Sequence, residues 1–460
     1  MTHHSYQEAF TRLRNYFDSG ATRPAEFRRR QLQALKTAVL QHEQEIYEAL
    51  AADLKKMPEE SWVTETGIVI SEINEAIRNL SRWMQPEKVP TNLVNFPASS
   101  RILREPLGLV LIIGPWNYPF QLLLAPLVGA IAAGNCAVVK PSEHAPATSD
   151  VIKKIISGTF PEEYIYYTQG DGAAIIPAWM QAGRFDHLFF TGGTAVGKII
   201  YKMAAEQLVP VTLELGGKSP CVIEADANIK VAARRITVTK FSNTGQTCTA
   251  PDYLLVHESR MEEMLAALKK NIIAFYSDRP EENYNYGKVI NSRQFDRLVS
   301  YLQHGNIWHG GRHDREKLFI EPTILTDVPP GSPVMQDEIF GPLLPVFSYA
   351  SAAEARRIIA RNPNPLAFYI FTQSKAKERE WLESIAFGGS CVNNASWHFT
   401  NHHLPFGGRG MSGIGKCHGK FSFDTFSHQK AVMRTPYWFD PDIKYPPFKG
   451  RLRLFKWLFR

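Results

Sequence analysis

Between residues 109 and 215 the chain repeats one pattern, a short apolar run followed by a segment with helical spacing. Runs at 109–113, 137–139, 165–167, 187–190 and 211–215 read as strands, with helices expected at 121–133, 147–157 and 197–206. Strands that are apolar along their whole length belong to a sheet covered on both faces, and helical crossovers make such a sheet parallel. The alternation resumes after Gly216, with strands expected at 253–256, 343–347 and 367–371 and helices at 226–241, 261–270 and 353–361. Residues 5–86 read as helices, for example through Leu32, Leu35, Val39, Ile46 and Leu50 at three-, four- and seven-residue spacings. The glycine-dense stretch 407–415 reads as a loop.

Charge and cysteine usage narrow the function. The net charge of +7 is small for 460 residues, and five basic residues with no acidic one lie between Lys449 and Arg460. The remainder is close to balanced, which speaks against a nucleic-acid partner. Five cysteines without a CxxC pair give no disulfide framework, and neither an HExxH motif nor another convincing metal cluster is present. The longest apolar stretches, 107–115 and 122–133, fall short of the roughly 20 residues a membrane span needs. Residues 1–20 are polar and acidic in place of an apolar signal core, so a cytoplasmic location is expected.

Four segments carry chemistry. Residues 190–198, Phe-Thr-Gly-Gly-Thr-Ala-Val-Gly-Lys, follow a strand and open a helix. That is the setting in which glycines let backbone approach a phosphate at a helix N-terminus. The run is not GxGxxG, and Ile199 stands where a Walker motif needs Ser or Thr, so a plain tight turn fits the pattern too. Cys248 closes the polar run 242–248 just past a helix, a place expected to expose the sulfur and lower its pKa. Cys136, Cys221, Cys391 and Cys417 are the alternatives. Glu214 is an acid among apolar residues at a strand end, either a base held nearer neutrality by desolvation, or a partner for Lys218 or a carboxylate facing solvent. Asn117, held between Pro115 and Pro119 and flanked by Trp116 and Tyr118, reads as a rigid amide donor for an oxyanion or as a buried turn.

Taken together, these segments resemble the NAD(P)-dependent aldehyde dehydrogenase superfamily, and within it the class 3 branch that includes fatty aldehyde dehydrogenases. The resemblance runs from about Pro24 to Lys430. It rests on Gly114-Pro115-Trp116-Asn117, Lys140-Pro141-Ser142-Glu143, the turn from Phe190 to Gly197, and Glu214-Leu215-Gly216-Gly217-Lys218. Gly245-Gln246-Thr247-Cys248, Glu338-Ile339-Phe340-Gly341-Pro342 and Pro405-Phe406-Gly407-Gly408 complete the set. The fold it implies is α/β, with a Rossmann-type cofactor domain, an α/β catalytic domain and a small β oligomerisation arm. The implied division is 1–92 with 108–213 for cofactor, 214–402 for catalysis, 93–107 with 403–436 for bridging and assembly, and 437–460 as a basic aromatic tail.

The resemblance also implies roles. Cys248 matches the nucleophile, Glu214 the base that activates the deacylating water, and Asn117 the oxyanion amide. Lys140 and Glu143 match positions by the adenine ribose of NAD or NADP, and Glu338 and Phe340 the pair by the nicotinamide ribose. Gly192, Thr194 and Gly197 belong to the pyrophosphate-side turn, Trp116 joins the cofactor set, and no metal is implied. The expected reaction oxidises an aldehyde to the acid through a thioester, in a homodimer. A CoA-acylating enzyme, which would have no use for Glu214, and a non-catalytic structural protein of the same fold are the rivals. Trp116, Tyr118, Trp397, His398 and Phe399 are expected to line an apolar tunnel for medium- or long-chain aliphatic or aromatic aldehydes. The tail is too short and charged to span a membrane; it is expected to dock on the body or a second subunit, the alternative being weak peripheral contact with an anionic membrane through Leu454, Trp457 and Leu458.

Overall fold

A computed structural model describes residues 3–459 of the chain. The expected alternation from residue 109 onward builds a six-stranded sheet. Its order is Gly413–Ile414, Val211–Glu214, His187–Thr191, Leu109–Ile113, Cys136–Lys140 and Ile165–Tyr167. All neighbours are parallel except the first pair. Every residue of Leu109–Ile113, Cys136–Lys140 and His187–Thr191 is buried, which is why their centres read as apolar runs. The chain starts at Leu109–Ile113, builds outward to Ile165–Tyr167, then returns on the other side at His187–Thr191. A crevice opens at the carboxyl ends of strands where the order reverses. Ile113 pairs with Phe190 at that point, so the loops beginning at Gly114 and Gly192 lie side by side.

A second sheet of seven strands runs Asn306–His309, Thr323–Thr326, Leu343–Tyr349, Tyr253–His257, Pro220–Ile223, Ala367–Phe371, Gly389–Val392. Only Asn306–His309 is antiparallel to its neighbour. The segments entering Pro220–Ile223 and Tyr253–His257 carry Lys218 and Cys248, so the amino edge of this sheet faces the carboxyl edge of the first across one cleft. A third, antiparallel sheet joins Glu87–Val89, Ser99–Pro106 and Ser427–Arg434, the last two paired over eight residues from Ser427↔Pro106 to Arg434↔Ser99.

Several expectations shift. Gly413–Ile414, inside the stretch read as loop, pairs Gly413 with Glu214 and so belongs to the first sheet. Glycine is a poor strand former, but ladder pairing needs only backbone. Glu87–Val89 likewise pairs with the arm sheet although it lies in the segment 1–92. The helix expected from residue 226 begins at Ile229, because the Asn228 side chain accepts from the Val231 N–H at 3.2 Å and caps it. The strand Pro220–Ile223 and the helices Gly172–Ala182 and Ser292–Tyr301 carry no sequence expectation. The tail does not bury itself on the body: Leu452, Trp457 and Phe459 are 63%, 64% and 76% exposed. Its contacts are mainly internal, such as Phe448 against Phe455, with Phe439 touching Phe96 of the arm.

Candidate active site

A cleft of about 1070 Å³ lies between the two large sheets. Asn117, Glu214 and Cys248 line it, together with Trp116, Gly192, Thr194, Glu338 and Phe340. Lys140, Glu143 and Gly197 do not. Gly197 lies under the helix Thr194–Glu206, where a Cβ would come within 2.7 Å of Leu215 Cδ2; it lets helix and sheet pack closely. Lys140 ion-pairs with Glu143, whose other oxygen accepts from the Gly172 N–H at 3.1 Å. Burial raises the Glu143 pKa, but Lys140 and the two backbone N–H groups outweigh it and hold the carboxyl below its ordinary value.

The loop before Cys248 shows why its motif reads Gly-Gln-Thr-Cys. Asn243, Thr244 and Gly245 are all left-handed, with φ of 49°, 54° and 74°. Successive residues in this region are strained and persist only where their surroundings fix them. A Cβ on Gly245 would sit 2.2 Å from the Gly341 carbonyl oxygen. Gln246 Nε2 donates to the Asn243 and Lys288 carbonyls, both at 3.0 Å, while its Oε1 accepts from the Ile290 N–H at 2.9 Å. Asn243 donates its N–H to Glu60 Oε1 and its Nδ2 to the Asn117 carbonyl, both at 2.8 Å. Thr247 Oγ1 meets the Tyr118 hydroxyl at 2.7 Å.

Asn117 is held from below by groups no local pattern marks. Lys56 Nζ lies 2.5 Å from Glu65 Oε1, both side chains fully buried, and also donates to the Asn117 carbonyl at 3.0 Å. Glu65 Oε2 accepts from the Phe120 and Gln121 N–H groups at 3.1 and 2.9 Å. The Asn117 amide donates to the Gln246 carbonyl at 3.0 Å, which leaves its second N–H for another acceptor.

Glu214 is 5% exposed, and neither of its oxygens has an N–H or O–H partner. Lys218 instead pairs with Asp252 and donates to the Val334 and Asp337 carbonyls at 2.8 and 2.9 Å. Burial therefore pushes the Glu214 pKa well up, with the Cys417 thiol beside it pulling the other way. The expectation for Cys248 is corrected: its thiol pKa is raised. Burial is the main cause, followed by the charges of Glu338 and Glu214, and the backbone N–H groups of Cys248 and Thr249 offset only part.

Asp252 also accepts from the Ile339 N–H at 2.9 Å, and Arg297 donates to the Ile339 carbonyl at 2.7 Å, fixing the Glu338–Phe340 turn. Phe340, left-handed at φ 51°, meets Trp116 edge to face at 5.2 Å. Burial, then Asp252, push the Glu338 pKa up to about 8. The cleft suits a dinucleotide. The helix Thr194–Glu206 has no side-chain cap and no acid in its first turn, so its N–H groups are free for a pyrophosphate, and nothing would meet a Cβ on Gly193 at its mouth.

Cys248 also opens onto a second cavity of about 570 Å³. Tyr118, Trp397 and Phe399 line it as expected, with Val63, Val238 and Phe275. Trp116 faces the other cleft, and His398 lies behind the wall, 3.6 Å from Cys391 Sγ.

The profile of the aldehyde dehydrogenase family matches residues 1–432. The 4,4'-diaponeurosporen-aldehyde dehydrogenase of Staphylococcus aureus (strain NCTC 8325 / PS 47) is 43% identical over 456 residues, covering 99% of each chain. The chain belongs to the aldehyde dehydrogenase family. Human aldehyde dehydrogenase family 3 member B1, 45% identical over 96% of this chain and 95% of its own, places this aldehyde dehydrogenase in the class 3 branch. The solved Staphylococcus aureus AldH in its substrate-bound state superposes with a TM-score of 0.95 at 42% identity, covering 98% and 99%. The dehydrogenase therefore has a Rossmann cofactor domain, an α/β catalytic domain and a small β region, and oxidises an aldehyde with NAD(P)+ through a buried cysteine.

Proposed function

We propose that Cys248 is the nucleophile, Asn117 the oxyanion donor and Glu214 the base of a hydrolytic aldehyde dehydrogenase. The observation that carries this reading is the place of Cys248, at the junction of a nucleotide-sized cleft and an apolar cavity, with a buried Glu214 that has no N–H or O–H partner on the same cleft. The Cys248 thiolate adds to the aldehyde carbon, and the new oxyanion accepts the free Asn117 N–H and the Cys248 backbone N–H. Glu338, Phe340, Trp116 and the helix after Gly193 would hold NAD(P)+, which would supply the hydride acceptor for oxidation of the Cys248 adduct to a thioester. Glu214 then takes a proton from water as its oxygen attacks the thioester carbonyl, which releases the acid and the sulfur. Lys140 and Glu143 serve the adenine ribose from outside the cleft lining.

The apolar, aromatic second cavity supports medium- or long-chain aliphatic or aromatic aldehydes as substrates. Incubation with hexanal and NAD+ or NADP+ tests the reading. Reduced nicotinamide with hexanoic acid as product supports it, whereas hexanoyl-CoA formed only when CoA is added overturns the hydrolytic part.

The same proposal includes a homodimer. Ser427–Arg434 pairs on one side with Ser99–Pro106 and is otherwise mostly exposed, an edge that invites a second copy. The exposed tail fits a partner subunit's surface, or weakly an anionic membrane; vesicle co-sedimentation separates the two. No helix of the described residues is long and apolar enough to cross a membrane. The five unpaired cysteines accord with a cytoplasmic location. The proposed division into cofactor, catalytic and bridging parts assigns Glu87–Val89 to the arm sheet and Gly413–Ile414 to the first sheet, by their pairing.

A further inference from the structure

The wall of the apolar cavity carries two acids, Glu59 and Glu60, and no lysine or arginine. Glu59 is occupied by the Tyr284 hydroxyl at 2.9 Å. Glu60 is tied into the site itself through its 2.8 Å bond from the Asn243 N–H. The cation on that side, Lys56, stands 3.9 Å from the Tyr118 ring centroid, but its charge is matched by Glu65. Burial raises the Glu60 pKa, and Lys56, shared with Glu65, offsets its charge only in part, so a ligand entering this cavity at alkaline pH meets apolar groups and net negative charge. Apolar walls exclude water and screening ions, so a carboxylate there is felt more strongly than on the surface.

We propose that Glu60 makes the cavity reject aldehydes that carry a second, anionic group, so that ω-oxo carboxylates are excluded while neutral aldehydes of the same length enter. This rests on the reading of the cavity as the aldehyde channel. Two effects act together against an anionic chain end. No cation in the lining replaces the water it must shed, and the Glu60 carboxylate repels it. Glutamine at position 60 keeps an oxygen for the Asn243 N–H and removes only the charge. Discrimination is thereby separated from the support Glu60 gives the loop.

The experiment compares kcat/KM for hexanal and 6-oxohexanoate at pH 8.5 in wild type, E60Q and V63K. Val63 is 48% exposed on the same wall, so V63K adds a cation there without disturbing the core. Wild type should prefer hexanal by roughly a hundredfold or more, as expected for a carboxylate brought near a like charge in a largely apolar cavity. The preference should shrink at least about tenfold in E60Q, and V63K should raise kcat/KM for 6-oxohexanoate several-fold. A preference below threefold in wild type, or one unchanged in both variants, overturns the inference. A loss of hexanal and 6-oxohexanoate activity in equal proportion in E60Q, with V63K unchanged, would show a purely structural Glu60 and overturn it too. Failure of wild type to oxidise hexanal at all would instead strike the proposed function.

Discussion

Asn117 donates its side-chain amide to the Gln246 carbonyl at 3.0 Å, two residues before Cys248. The bond joins the loop after the strand Leu109–Ile113 to the loop before the strand Tyr253–His257, and so joins the two large sheets at the point of chemistry. An oxyanion donor works through preorganisation, and in the role proposed for Asn117 this bond would aim the remaining N–H before substrate arrives. N117A should lower kcat by about 10²–10³-fold with a smaller change in KM for aldehyde, as loss of one oxyanion donor does elsewhere. Steady-state kinetics check it; a change confined to KM would place Asn117 in ground-state binding.

Activity should rise toward alkaline pH. The Cys248 pKa is raised, so the reactive thiolate gains population as pH rises, and the Glu214 pKa is raised, so its basic form is lost at higher pH than an ordinary carboxylate's as pH falls. Both signs agree. Profiles of kcat/KM and kcat across pH 6–10 measure it, and an optimum on the acidic side would contradict it.

Glu338, with its pKa near 8, titrates inside that window. Its ionised form is the better acceptor for a ribose hydroxyl, so KM for NAD(P)+ should fall as pH rises through about 8. E338Q should flatten the dependence. A KM that is level in wild type, or equally steep in E338Q, counts against the assignment.

The buried Lys56–Glu65 pair should matter more for its integrity than for its charge. K56M leaves Glu65 buried without its cation, which costs about 3–5 kcal/mol where such pairs are broken on one side. Thermal unfolding should show the loss, and K56M/E65Q should recover part of it. Because Lys56 also holds the Asn117 carbonyl, kcat should fall in both.

On the proposed roles, the cofactor preference should turn on Glu143. Ionised, it suits the ribose hydroxyls of NAD, and while it holds Lys140 the lysine cannot turn to a 2′-phosphate. Wild type should use both cofactors with the lower KM for NAD+. E143Q should narrow or reverse the preference, mainly through KM for NADP+. Unchanged kcat/KM ratios would place selectivity elsewhere.

The strands around residues 109–113 and 187–191 are legible in the sequence because burial on both faces writes continuous apolar runs. Gly172–Ala182 is not, since Gly172 and Pro177 mask its spacing, and Pro220–Ile223 is too short to stand out. Cys248, Glu214 and Asn117 are marked only ambiguously by their own neighbours, and the family resemblance separates them from the alternatives. Lys56, Glu65 and Glu60 escape altogether, because their partners lie far along the chain, 61 residues from Lys56 to Asn117 and 183 from Glu60 to Asn243. The direction of the Cys248 shift misreads for the same reason. A polar local sequence says nothing of the protein folded around it.

The central claim is a thioester on Cys248 that waits for water activated by Glu214. Rapid mixing of E214Q with hexanal and NAD+, followed by peptide mass analysis of the quenched protein, tests it most directly. The account predicts a burst approaching one reduced nicotinamide per subunit, slow turnover afterwards, and a hexanoyl group on the peptide bearing Cys248. A burst-free trace with hydride transfer slowed as much as steady state, or an acyl group on another cysteine, would contradict it.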